Sequence, residues 1–131
     1  MVKKKKEAQE IEATTEQVTI ETTIDEEALR ASLEEVKNCD GVIGYILRNT
    51  TSASIDLKDP ARIIDYAILA STAFDAAEDI AEFFKLGEVK NITIKGKKAK
   101  MLSLTVAENK ISIFMESNAD LDRILKRIQT F

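Results

Sequence analysis

Apolar side chains recur at every third or fourth position through residues 59–87, and this stretch carries the strongest helical signal in the chain. Asp59 can accept from the free amides of a first turn, Pro60 suits a first helical position where no amide is needed, and Gly87 can supply a left-handed stop. Stepping about 100° per residue, Ile63, Ala67, Ala70, Phe74, Ala77, Ala81 and Phe84 form one stripe. Leu69, Ala73, Ala76, Ile80 and Phe83 form a second stripe beside it. A helix lying on one surface needs only one stripe. The second therefore predicts either a wider groove within the domain or a helix gripped by its own sheet and by a second protein. Its alanines would let another backbone approach closely.

The flanking segments alternate differently. Residues 25–38 read as a helix with Asp25 as cap, Glu26 and Glu27 in the first turn, an Ile24–Leu29 staple, and a narrow stripe of Ala28, Leu29, Ser32, Leu33 and Val36. Residues 42–47 are apolar on both alternating faces, which predicts a central strand covered above and below. Residues 53–57 return as its antiparallel partner after the turn Asn49-Thr50-Thr51-Ser52. Beyond the long helix, Ile92 and Ile94 alternate with polar residues, and Gly96-Lys97-Lys98 turns into a strand over 101–106. Glu108-Asn109-Lys110 then turns into a strand with Ile111, Ile113 and Met115 on one side and Phe114 on the other. Ser117 or Asn118 caps a closing helix with Leu121, Ile124, Leu125 and Ile128 inward. The order αββαβββα predicts an α+β domain, a five-stranded antiparallel sheet with the long helix on one face and the two shorter helices on the other.

Composition narrows the function. At 131 residues and 44% hydrophobic content the chain supports one core. Residues 1–24 carry four successive lysines and then a Glu/Thr-rich run, which predicts a flexible extension, with the domain proper at 25–131. Within it, 17–24 alternates well enough to add a strand to a sheet edge instead. A net charge of -4 argues against general nucleic-acid binding. No apolar run approaches the roughly 20 residues that span a bilayer, and no secretory leader is evident, so a cytoplasmic protein is expected, with membrane association only through a partner if at all.

With no histidine and one cysteine, Cys39, the usual zinc and iron sites, the Ser-His-Asp triad and the Cys-His pair are excluded. No cofactor, metal or catalytic residue is predicted. Asp75, Glu78, Asp79 and Glu82 sit three or four apart on the long helix, the spacing of a solvated face. No Walker-type glycine loop is present, which argues against GTP hydrolysis by this chain. The alternative to a non-catalytic interaction module is a small-ligand sensor of profilin-like or PAS-like layered architecture, for which Tyr45, Tyr66 and Ser71 are the candidate polar groups.

Four segments carry a family resemblance: Asp40-Gly41-Val42-Ile43-Gly44 opening the first strand; Phe83-Phe84-Lys85-Leu86-Gly87-Glu88 closing the alanine-rich helix; Asn91-Ile92-Thr93-Ile94-Lys95-Gly96; and Asn118-Ala119-Asp120-Leu121. With the element order, they make residues 25–131 resemble the roadblock family of dynein-light-chain-like and GTPase-regulator domains. The Asp and Gly pair common in that family's first hairpin is replaced here by Asn49-Thr50-Thr51-Ser52. The resemblance implies a homodimer, or a heterodimer with another roadblock-like chain. Its long helices would pack through Leu69, Ala73, Ala76, Ile80 and Phe83, and its third strands would pair through Asn91, Thr93 and Lys95. It further implies docking on a Ras-like small GTPase as scaffold or regulator. The outward side of the long helix would offer Ile64, Asp65, Ile68, Thr72, Asp75 and Asp79 as contacts. Ile64 and Ile68 stand on an otherwise polar side, and could equally fill the pair of helices in the dimer. Lys95, Lys97, Lys98 and Lys100 around the following hairpin read as solvation of an edge and turn, or as an anion or lipid contact.

Overall fold

A computed structural model of the chain describes residues 27–128; the proposed Asp25 cap, the Ile24–Leu29 staple and the 1–24 extension lie outside them. Helix α1 occupies 27–37. There follow β1 (Val42–Arg48), β2 (Ala53–Leu57), a 3₁₀ turn (Pro60–Arg62) leading into α2 (Ile63–Phe83), then β3 (Asn91–Lys95), β4 (Ala99–Val106), β5 (Asn109–Glu116) and α3 (Leu121–Ile128). The five strands form one antiparallel sheet in the order β2-β1-β5-β4-β3, which leaves β2 and β3 at the edges. The αββαβββα reading of the sequence is the architecture found.

The three inner strands, β1, β5 and β4, divide their side chains between the two faces of the sheet. Val42, Tyr45 and Leu47 of β1, Leu102 and Leu104 of β4, and Ile111, Ile113 and Met115 of β5 pack with Leu29, Leu33 and Val36 of α1 and Ile124 and Ile128 of α3. Ile46, Met101 and Phe114 point to the other face, where Ala70 and Ala73 of α2 close over them. Val42 and Tyr45 share a face although three apart, because a bulge between Val42 and Gly44 inserts an extra residue. At Gly44 the neighbouring strand comes close: a Cβ there would strike the Asp56 carbonyl and stand 2.7 Å from Leu57 Cα.

Local chemistry sets the boundaries, in places differently from expectation. Asp59 accepts from the Ala61 amide at 3.2 Å and so caps the 3₁₀ turn. Helix α2 ends through Lys85, not Gly87. Lys85 adopts φ 57°, its amide donates to Glu82 O, and the Leu86 amide reaches back to Ala81 O at 2.8 Å. This is the paired 5→2 and 6→1 arrangement of a left-handed helix stop. The first hairpin turns without glycine because Asn49 Oδ1 accepts from the amides of both Thr51 and Ser52 at 2.9 Å. The β4–β5 turn is Ala107-Glu108, both at positive φ, so Asn109 and Lys110 already belong to β5. At α3 the cap is Asp120, whose carboxylate accepts from the Arg123 amide, and not Ser117 or Asn118.

Candidate interaction surface

Helix α2 buries less than its sequence offers. Its inward side is as expected: Ala70, Phe74 and Ala81 are buried and Ile63, Ala67 and Ala77 half-buried. Phe84 departs from that stripe, because the α-helix stops at Phe83 and its ring turns out to meet Phe83 edge-on at 4.9 Å. Of the second stripe, Leu69, Ala76, Ile80 and Phe83 stand open along one flank, Ile80 at 53% and Phe83 at 78% exposure. Ala73 does not stand with them. It is 9% exposed and packed in the chain's own core with Ala70, Met101 and Phe114, so its placement on the open flank is corrected.

Around the helix from that flank, Ile64 and Ile68 are exposed at 72% and 60%, with Asp65, Thr72, Asp75 and Asp79 also in solvent. Asp65 is held by Arg62 at 3.5 Å, and Arg62 in turn lies over the Tyr66 ring. All six outward candidates thus share one accessible side.

Strand β3 adds an open edge. The Gly96 amide donates to Ala99 O, so by antiparallel alternation Ile94 and Ile92 exchange hydrogen bonds with Met101 and Ser103. Asn91, Thr93 and Lys95 therefore turn their amides and carbonyls away from β4, along an edge that no strand among the described residues covers. Lys95, Lys97 and Lys98 are exposed at its end, while Lys100 is engaged, donating to Ala119 O at 2.7 Å.

The groups proposed for a ligand sensor are not brought together. Tyr45 lies in the core under α1, donating to Glu34 Oε2 at 2.7 Å, while Tyr66 stacks on Phe114 across the sheet at 4.5 Å between ring centroids, and Ser71 is half-buried on α2. Burial, and then the Glu34 carboxylate, push the Tyr45 hydroxyl well above its ordinary pKa. Among the described residues no group of three His, Cys, Asp or Glu side chains could hold a metal, and no helix is long and apolar enough to cross a membrane. Cys39 is half-buried, its thiol 3.6 Å from Glu35 O.

Sequence comparison finds no matching family model and no matching curated protein. Solved structures do match. The Roadblock/LC7 domain from Streptomyces avermitilis aligns over 76% of this chain and 87% of its own, with TM-score 0.64 at 12% identity. This chain has the roadblock fold. Myxococcus xanthus MglB matches it with TM-score 0.62 at 13% identity, over 79% of this chain and 87% of that one. The gliding protein MglB from Thermus thermophilus gives 0.61 at 14%, over 79% and 82%. At such identities the likeness is one of backbone. In this roadblock fold the apolar flank of α2 and the bare edge of β3 belong to consecutive elements, joined by the short 84–90 link. Sequence reasoning missed the outward turn of Phe84 and Leu86 at that link, since a periodic pattern carries no sign of where the helix stops rotating.

Proposed function

We propose that the protein is a non-catalytic dimeric interaction module that acts as scaffold or regulator of a Ras-like small GTPase. The observation that carries the dimer is the open apolar flank Leu69, Ala76, Ile80 and Phe83 beside the unpaired edge of Asn91, Thr93 and Lys95. Large apolar side chains in a row, next to free backbone donors and acceptors, are met at once by a second copy: helix lies on helix and strand pairs with strand. The class of further partner comes from the roadblock resemblance, and Ile64 and Ile68, exposed among Asp65, Thr72, Asp75 and Asp79, supply the matching surface. An apolar centre within a polar rim is the common make-up of a protein interface.

The test is direct binding of a panel of purified Ras-like GTPases, loaded with GDP or a GTP analogue, to the full-length protein. One member is expected to bind in a nucleotide-dependent way, and Ile68→Glu to abolish that binding while leaving the mass of the assembly unchanged. Binding by no GTPase of the panel, or binding untouched by Ile64→Glu and Ile68→Glu together, would contradict the assignment.

A further inference from the structure

At the far side of the sheet from β3, the edge of β2 is open as well. The Asn49 amide donates to Ser52 O at 2.9 Å and the Lys58 amide to Ile43 O at 3.0 Å. Alternating inward from both ends of the β1–β2 ladder, Ser54 and Asp56 exchange hydrogen bonds with β1, while Ala53, Ile55 and Leu57 turn their amides and carbonyls outward. No strand among the described residues meets them. Sheets commonly guard such an edge with lysine, proline or a bulge. The outward row of β3 carries Lys95, but that of β2 is apolar throughout, and Ile55 is 41% exposed.

The two sides of β2 ask different things of a neighbour. Ile55 stands opposite Ile46 on the α2 side of the sheet, where Leu57 is buried. Ser54 and Asp56 lie on the α1 side, held by Arg30 Nη1 at 2.6 Å and Lys37 Nζ at 2.8 Å. A strand beside β2 therefore fits best with apolar side chains toward α2 and polar or acidic ones toward α1. Residues 17–24, outside the described residues, alternate in this way: Val18, Ile20, Thr22 and Ile24 fall on one side, and Gln17, Thr19, Glu21 and Thr23 on the other.

We propose that residues 17–24 of the same chain dock on β2 as a sixth strand, antiparallel to it, with Ile20 and Ile24 on the Ile55 side and Glu21 on the side of Arg30 and Lys37. The path of the chain sets the direction. Helix α1 begins at residue 27 and runs from Arg30 at Ser54 to Lys37 at Asp56, so its first turn lies at the Ala53 end of β2. A strand that finishes there at Ile24 reaches α1 through residues 25 and 26 alone, an ordinary length for a strand-to-helix link. Such a strand is parallel to β1, and its connection through α1 crosses the opposite face from the β2–α2–β3 connection on strands of opposite direction. Both connections then have the same hand, as the chirality of such crossovers requires. Because β2 and β3 are opposite edges, the proposal stands or falls separately from dimerisation and GTPase docking.

Amide hydrogen exchange of the full-length protein, followed by nuclear magnetic resonance, tests this. The Ala53 and Ile55 amides should exchange about 100-fold or more slowly than in an unstructured chain, equally at every protein concentration. Ile20→Glu with Ile24→Glu, which removes the apolar row, should speed them by about tenfold or more. Thr19→Glu with Thr23→Glu adds the same charge on the side of Arg30 and Lys37, and should leave them within about threefold. Far-UV dichroism checks that the variants fold; if the first pair does not, Overhauser contacts between the amides of 18–24 and 53–57 in the unaltered protein decide the matter. Unprotected Ala53 and Ile55 amides, protection that grows with protein concentration because a second copy covers the edge, missing Overhauser contacts, or protection indifferent to Ile20→Glu with Ile24→Glu would overturn the proposal.

Discussion

On the face covered by α1 and α3, the inward positions are large aliphatics and methionine: Leu33, Leu102, Ile111, Ile113 and Met115 are all at 1% exposure or less. On the face covered by α2, the helix meets the sheet mostly through alanine and keeps Ile64, Ile68, Leu69, Ile80 and Phe83 in solvent. Two short helices thus close one side of the sheet with their best apolar residues, while one long helix leaves many of its own outside. The buried large side chains are concentrated on the first face, and the second carries an apolar excess that nothing among the described residues covers.

Truncation should break this symmetry most visibly. Leu33→Ala and Ile113→Ala each remove a fully buried aliphatic and should cost about 2–5 kcal/mol, and Phe74→Ala about 3–5 kcal/mol, in urea unfolding. Ile64→Ala, on the open side of α2, should stay within about 0.5 kcal/mol. Ala73 sharpens the contrast, because Ala73→Glu would put a carboxylate into the chain's own core and should unfold the monomer, whereas Ile80→Glu, one flank away, should leave far-UV dichroism unchanged. A smaller effect probes the first face. Tyr45 is held protonated by burial and by Glu34, above the ordinary value of 10.0 it recovers on unfolding. Ionisation then favours the unfolded chain, so stability should fall as pH rises past about 10. Tyr45→Phe, lacking the hydroxyl, should flatten that decline and cost about 1 kcal/mol at neutral pH.

The smallest effects are expected at the turns. Lys85, Ala107 and Glu108 adopt positive φ with side chains that disfavour it. Lys85→Gly should stabilise by about 1 kcal/mol, and Ala107→Asn with Glu108→Gly by a similar amount, read from the urea midpoint at unchanged m-value.

These positions also mark where the sequence was readable. Element type and order followed from period alone: β1 is apolar on both faces because it lies in the interior of the sheet, and Pro60 and Asp59 announce the start of α2. The end of α2 was not legible, since nothing in a lysine signals a left-handed backbone and Gly87, two residues on, carried the usual cue. Ala73 was misplaced for a related reason. It lies between the two stripes, and the roll of the helix that decides its side is set by Met101 and Phe114 beneath it. Ser103 of β4 and Ser112 of β5 carry no signal of their own in the sequence. That they face each other under α2 depends on a strand pairing no local pattern records. The turn at Asn49-Thr50-Thr51-Ser52, by contrast, was legible, because asparagine can organise a turn with its own side chain and needs no glycine.

The central claim is that the open side of α2 and the edge of β3 meet a second copy of the chain, and light scattering coupled to gel filtration measures it most directly. At micromolar concentration the unaltered protein should run at twice the 14.6 kDa of one chain. Ile80→Glu, and separately Thr93→Pro, which removes an outward donor without touching the β3–β4 ladder, should each run at 14.6 kDa with unchanged dichroism. An unaltered protein that remains at 14.6 kDa at every concentration, or a dimer indifferent to both substitutions, would contradict it.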